Sequence, residues 1–398
     1  MKRPLILTAT GLGLLALLGS APAAAEPQRA RPGCDGSVPY RANTEGYSAF
    51  RIPAVVKARS GAILAFAEGR KGGLSDAGDI DLVLKRSTDG GCTWGPLQVV
   101  YDSGANTSGN PAPVVTASGR VVLLSTYNAG TATEAAIMRG EVTAEQSRRV
   151  FVQHSDDDGA TWSAPAELTA TAKRPDWRWY ATGPGHAVRL TKGAHKDRLV
   201  VPANHSAAPP AGSTDAGTEA KYYGAHDLIS DDNGATWRIG FVDGTYDGVV
   251  NANESSAAEL PDGRLYFNAR DQNGTAPGNR LDAVSLDGGQ SLSPAFYRPQ
   301  GTITGPVVQG SVLQVTGRNA ALVYSGPADP AARAVMTLRV SRDGGATFTP
   351  ALALSGLPAA YSDLVQLDDA TLGVLYETGD LGANETIALR RVATQSLG

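Results

Sequence analysis

Short apolar or alternating runs, each cut by a polar turn, recur along the chain. Examples are FRIPAVV over 50–56, GAILAFAEGR over 61–70, DLVLKR over 81–86 and RAVMTLRV over 333–340. Such runs, bounded by Gly, Asp and Pro, predict β-strands. The turns repeat as well. STDGGCTW (87–94) returns as SDDDGATW (155–162), SDDNGATW (230–237) and SRDGGATF (341–348), and in degraded form as SLDGGQSL (285–292). The starting serines are 68, 75, 55 and 56 residues apart. That is the length of one supersecondary unit and predicts an internal array. In each copy Asp and Ser can bond nearby backbone, and Gly supplies a positive φ. The closing Trp or Phe can pack between neighbouring units. Units of about 50 residues with four short strands are propeller blades. The expectation is an all-β, six-bladed β-propeller of four-stranded antiparallel blades. Only residues 132–150 read as a helix-tolerant insertion.

The boxes themselves carry a fold-stabilising turn and no chemistry. Asp156 and Asp158 resemble the start of a calcium loop, but the later Gly and Glu positions are missing, so no metal is expected. No cofactor is expected either.

The first residues change the picture. Lys2 and Arg3, an apolar stretch from Leu5 to Leu18, and Ala23 to Ala25 before Glu26 form a signal-peptide pattern over residues 1–25. The stretch is too short for a spanning helix. A secreted, extracellular protein is expected, with one domain over 26–398, no membrane span and a monomeric state. Formal charge is −4, and −6 without residues 1–25. With no Lys/Arg run, that argues against a nucleic-acid partner. The only cysteines, Cys34 and Cys92, then share an oxidising compartment and are expected to pair, tying the tail to the first box.

Candidate chemistry sits at strand ends. Arg51 interrupts an apolar strand start, where an arginine is either a structural ion pair or an anion site. Arg70 closes a strand before a Gly-rich acidic loop holding Asp76, Asp79 and Asp81. Glu254 stands just before a strand, Arg270 ends one, Arg333 opens one before the fifth box, and Tyr361 starts another. Singly, each has a structural reading: a salt-bridge arginine, a strand tyrosine, a solvated glutamate. His186, His205 and His226 lack ligand spacing and read as structural.

Together, in this order with the boxes, these residues resemble the bacterial exo-sialidases (neuraminidases) over essentially all of 26–398. That resemblance implies hydrolysis of terminal α-linked sialic acids on glycoproteins, glycolipids and oligosaccharides. It makes Arg51, Arg270 and Arg333 the triad that holds the sugar carboxylate, Tyr361 the nucleophile, Glu254 its base and Asp76 the acid/base. Arg70 would lie near the sugar's O4. A phenol suits a reacting carbon that already bears a carboxylate, because an anionic nucleophile would approach against like charge. The reaction implied is a retaining double displacement through a tyrosyl-sialyl intermediate. In one departure, Thr116 follows Asn110 to Val115 where the family often has Asp. Two further readings share these residues: a trans-sialidase, with Trp177 or Trp179 as acceptor platform, and a sialic-acid-binding propeller without turnover.

Overall fold

The computed structural model describes Met1, residues 34–246 and residues 248–398. Residues 2–25 of the expected signal peptide lie outside the described residues. Among those described, no helix is long and apolar enough to cross a membrane.

Antiparallel strands dominate, as the alternating runs require. Three sheets have four strands. One orders Ala252–Glu259, Leu265–Asp271, Arg280–Ser285 and Arg298–Pro299. A second orders Ser311–Val315, Ala321–Pro327, Met336–Ser341 and Thr349–Ala353. The third closes the chain on itself: Gly36–Arg41 pairs with Thr386–Ala393, which continues to Thr371–Thr378 and Ala359–Asp368. A five-stranded sheet spans Trp177–Thr182 to Arg238–Asp243. The remaining sheet has eight strands, from Ala49–Lys57 to Ala166–Glu167. It consists of two antiparallel arrays joined by a single parallel pair, Ile80 with Thr107. Among the described residues the hydrogen-bonded sheets therefore number five, not the six expected. The physical reason is that one bridge, which makes two arrays into one sheet.

The first strands of the arrays face one another around an axis and are tied there. Val55 N–H donates to Asp363 Oδ2 (2.8 Å), and Gly185 N–H to the Pro111 carbonyl (3.1 Å). Ser255 N–H donates to the Gly183 carbonyl (3.2 Å), and Val312 N–H to Ser256 Oγ (3.1 Å). The Gln309 side chain adds a further tie by donating to the Ser362 carbonyl (3.0 Å). This is a β-propeller with four-stranded antiparallel blades.

The apolar core lies between neighbouring sheets. Phe50, Val55 and Ala65 pack with Val365, Leu375 and Leu389, and Leu338 and Val340 with Leu364 and Val374. Each box ends in this layer: Trp94, Trp162, Trp237, Leu292 and Phe348 all join inter-sheet clusters. The turns are built as expected. In the second box Gly159 N–H donates to Ser155 Oγ (2.8 Å) and Thr161 Oγ1 to Asp157 Oδ2 (2.6 Å). Gly159 has φ 79°, where glycine alone is unstrained. The degraded box keeps the pattern because Ser291 supplies the hydroxyl that Thr supplies elsewhere, at 2.6 Å from Asp287 Oδ2. Cys34 and Cys92 are disulfide-bonded across 58 residues. Closing such a loop is worth about 4 kcal/mol in the chain-entropy account.

Topology separates the two ends of each blade. Arg70 is paired with Ile80, and Ile63 with Ser87. The box that follows Ser87 is therefore at the opposite end from Arg70, and the strand-end residues singled out above share the other face. Inner strands bulge on that face. Register breaks fall between Arg51 and Ala54, Gly109 and Ala112, Ala252 and Ser255, and Ala359 and Ser362. Bulges re-aim side chains. Ile52 and Asn110 sit at φ 58° and 54°. For β-branched Ile52 this is a strained conformation. It persists because Ile52 N–H donates to the buried Glu377 Oε1 (2.8 Å).

Candidate active site

Side chains from all five sheets and their connections meet in one basin on the axis, several of them beside those bulges. All seven strand-end and loop residues singled out in the sequence line it: Arg51, Arg70, Asp76, Glu254, Arg270, Arg333 and Tyr361.

At its floor, Tyr361 Oη donates to Glu254 Oε1 at 2.5 Å. Glu254 Oε2 accepts from Arg270 Nη1 at 3.0 Å. Burial raises the phenol's pKa well above its ordinary value, and Glu254 raises it further, against the pull of Arg270 and Arg51. At rest the tyrosine is therefore neutral and its proton already points at the carboxylate. The arginines surround the ring: Arg51 lies 5.1 Å and Arg333 6.0 Å from its centroid.

The three arginines are not equivalent. Arg51 is held in a bidentate pair, with Nε and Nη2 donating to Glu377 at 3.2 Å each. Glu377 is fully buried and also takes the backbone N–H groups of Ile52 and Tyr361. Arg270 is paired with Glu254. Arg333 is exposed, precedes the strand Met336–Ser341 instead of opening it, and donates to the Val307 carbonyl at 3.3 Å. Among the described residues no carboxylate lies within ion-pair distance of Arg333. Its charge is the one most available to an incoming anion.

The loop over 71–79 is clasped, not free. Arg70 is buried, and its Nη1 donates to the carbonyls of Leu74 (2.7 Å) and Ser75 (3.1 Å) and pairs with Asp76 (2.8 Å). Glu68 aims it, accepting from Arg70 Nη2 at 2.6 Å. Asp76 remains 63% exposed at its side chain, so a ligand can reach it. Burial pushes the Asp76 carboxyl up, but Arg70 and Arg51 outweigh this and hold it below its usual value. Asp79 and Asp81 turn away to Lys71, at 2.9 and 3.2 Å.

A further buried arginine lines the basin. Arg148 is buried and donates from Nη1 to Asn110 Oδ1 (2.7 Å) and Thr126 Oγ1 (2.5 Å). Its guanidinium lies 3.9 Å from the Trp179 ring centroid. Burial drives its pKa down to about 10, which leaves it charged at neutral pH. Thr116 is at the far end of the strand Thr107–Val115, bonded to Ser118, so it does not take the expected sugar-side place. Asn110 stands in the basin instead.

Sequence reasoning missed Glu377, Glu68, Arg148 and Glu134. The signal for Glu377 was available: a lone carboxylate in the apolar run GVLYE over 373–377, the counterpart of the lone Arg51 in its own strand. The histidines are structural. His186 bonds Asp363 (2.7 Å), and His205 faces His226 (3.1 Å).

Box turns, inter-sheet core and axial basin define a repeat-built all-β propeller with an anion-seeking site. A family model described as a BNR repeat-like domain matches residues 61–374. The chain is similar to an exo-alpha-sialidase of Aspergillus fumigatus, 32% identical over 358 residues, 84% of this chain and 79% of that protein. It is 30% identical over 348 residues to a sialidase of Micromonospora viridifaciens, covering 84% of this chain but only 50% of that one. The solved structure of the Hadza microbial sialidase Hz136 superposes with a TM-score of 0.77 at 26% identity, over 91% of this chain and 69% of that one. The chain belongs to the sialidase family of glycoside hydrolases with BNR repeats.

Proposed function

We propose that this chain is an exo-α-sialidase, releasing terminal α-linked sialic acids from glycans by a retaining double displacement. The observation that carries the reading is Tyr361 Oη at 2.5 Å from Glu254 beneath a ring of arginines. Arg333, Arg270 and Arg51 hold the substrate carboxylate, which guanidinium forks match bidentately. Tyr361 attacks the anomeric carbon as Glu254 takes the phenol proton. The tyrosyl-sialyl bond forms as the glycosidic bond breaks. Asp76 protonates the leaving oxygen, then takes a proton from the water that releases the sugar. Glu377 and Glu68 touch no substrate in this scheme. They position Arg51 and Arg70.

The same reading takes the eight-stranded sheet as two blades divided at its single bridge, which makes six in all. It takes residues 26–398 as one catalytic domain, secreted as a monomer after removal of residues 1–25. Hydrolysis is favoured over transfer because neither expected platform presents an exposed ring face, although Trp179 lines the basin. Trp177 is buried and stacked on His205 with centroids 3.8 Å apart, and Trp179 is buried beside Arg148.

The test is the first-formed product. With sialyl-lactose, NMR should record the α-anomer of free sialic acid before mutarotation, and a 2,3-difluoro sialoside should label Tyr361 in a mass map. First release of the β-anomer, or a label elsewhere, overturns the mechanism. An absence of any free sialic acid overturns the activity.

A further inference from the structure

Asp76 borders two cavities. One is the basin above. The second opens beside it, between residues 75–77, the helix Glu134–Arg139 and residues 218–223. Its walls include Ala135, Met138, Ala220 and Tyr223. Asp76, Glu134 and Gln272 belong to both cavities. Tyr361, the three triad arginines and Arg148 line the first and not the second. The proposed chemistry therefore leaves the second cavity without a task.

The geometry points to this second cavity as the binding site for the leaving sugar, shaped for a neutral hexose and unfavourable to a second sialic acid. The inference rests on the reading of Asp76 as the acid. An acid must be within hydrogen-bond reach of the oxygen it protonates. Whatever is attached to that oxygen must then lie beside Asp76 but outside the basin that holds the sialic acid, and the second cavity is what adjoins Asp76 there. Its surface suits a hexose. Ala135, Met138 and Ala220 offer apolar patches to the CH-lined faces of a pyranose. Tyr223 and Glu134 offer hydrogen bonds to its hydroxyl edge. Tyr223 Oη donates to Glu134 and lies 3.1 Å from Met138 Sδ, which fixes the carboxyl in the wall. Asp76 is paired with Arg70 and is protonated when it acts, so the standing carboxylate of the wall is Glu134, and no Lys or Arg lines the cavity to offset it. An anionic leaving group, such as the inner residue of an α2,8-linked sialic acid dimer, meets like charge there, and building in repulsion is a recognised route to selectivity.

The inference is tested by filling the cavity and by removing its charge. Ala220→Trp and, on the opposite wall, Ala135→Trp are made, and each is checked by thermal melting. KM for sialyl-lactose should rise about tenfold or more, the loss of one well-packed contact set. The inhibition constant of 2-deoxy-2,3-dehydro-sialic acid, which has no leaving sugar, should not move. If that constant rises in step, the cavity holds the sialic acid's own tail and the inference fails. If neither quantity moves in a variant that melts normally, the cavity is unused and the inference fails. The charge is tested on the unaltered enzyme, which should cleave sialyl-lactose about tenfold faster than the α2,8 dimer, with Glu134→Gln narrowing that ratio. A preference for the dimer overturns the choice of a neutral hexose. An unaltered enzyme that binds the inhibitor but releases sialic acid from no sialoside refutes the proposed function itself, a result distinct from all of these.

Discussion

The two ends of each blade are built on opposite principles. At the box end the same turn is made five times from the same residues, with bonds spanning two to four positions, as in Ser155 to Asp157 and Thr161 to Asp157. At the site end no two contributions are alike, and the bonds that matter join distant residues: Arg51 to Glu377 across 326 positions, Tyr361 to Glu254 across 107. The box end stabilises locally and tolerates degradation, as the copy at 285–292 does with Ser291. The site end gathers buried charges that would be costly one at a time and are satisfied only in combination. Substitutions at the two ends should therefore fail differently, activity at one and stability at the other.

The largest expected effect is at Tyr361. In the proposed mechanism Tyr361→Phe removes the attacking atom, so kcat should fall on the order of 10³-fold or more on both sialyl-lactose and an aryl sialoside, with melting unchanged. A loss under tenfold would place the nucleophile elsewhere. Next is Asp76→Ala. Acid catalysis contributes about 10²–10⁴-fold where the leaving group is a sugar alcohol and little where it is an acidic phenol. Sialyl-lactose turnover should drop by that range while the aryl substrate is largely spared. The pH profile carries a sign. Asp76 must be protonated to act, and Arg70 and Arg51 hold its pKa low in the free enzyme. A substrate carboxylate on Arg51 weakens that pull and raises it. The alkaline limb of kcat should therefore lie at higher pH than that of kcat/KM. Coincident limbs would mean that Arg51 does not control Asp76.

Two of the basin arginines, Arg51 and Arg333, sharpen the contrast within the site itself. Glu377→Gln leaves Arg51 without its buried bidentate partner, with only the more distant, exposed Asp76 at 3.7 Å, and should cost about 3 kcal/mol of stability as well as activity. Arg333→Lys keeps the charge, loses the fork and disturbs no ion pair. It should lower kcat/KM about tenfold or more with the melting temperature nearly fixed. Were Arg333→Lys to unfold the protein instead, Arg333 would be structural and the triad incomplete.

This difference also decides what could be read from the chain. The boxes, the strand runs, the helix near 132–150 and the disulfide were legible because each is local or has a single possible partner. Arg51, Arg70, Asp76, Glu254, Arg270, Arg333 and Tyr361 were legible as an ordered set, and the basin gathers all seven. Glu377 and Arg148 were not, because a buried charge has meaning only beside its partner, and those partners lie on segments the sequence does not place together; Glu68 was overlooked although Arg70 stands two residues on in the same strand. Thr116 was misplaced for a related reason. The segment Asn110 to Val115 crosses the whole blade, so a few residues of offset move a side chain from the basin to the opposite face. The count of sheets differed because one backbone bridge, Ile80 to Thr107, is invisible to any pattern of side chains.

The smallest effect is expected at the box end, and its size is the point. Asp157→Ala removes the acceptor of the Ser155 hydroxyl, the Thr161 N–H and the Thr161 hydroxyl, at 2.8, 2.8 and 2.6 Å. The group is exposed, so solvent replaces much of what is lost, and a cost of about 1 kcal/mol is expected, like that of losing a helix cap. Activity should not change, since the box lies at the far end of its blade. The bonds also set a pH dependence. The Thr161 side chain foremost, with the Thr161 N–H and Ser155, lowers the Asp157 pKa from 3.8 to about 2, and Thr347 does the same for Asp343. A carboxyl depressed in the folded state contributes stability fully above its unfolded value, and that contribution fades as pH falls from about 4 toward 2. Urea midpoints of the unaltered protein and Asp157→Ala should thus differ at pH 7 and converge near pH 2. A difference that stays constant down to pH 2 would show that the box acts through its backbone shape alone. A loss of turnover at pH 7 with stability intact would show that the two ends of the blade are coupled after all.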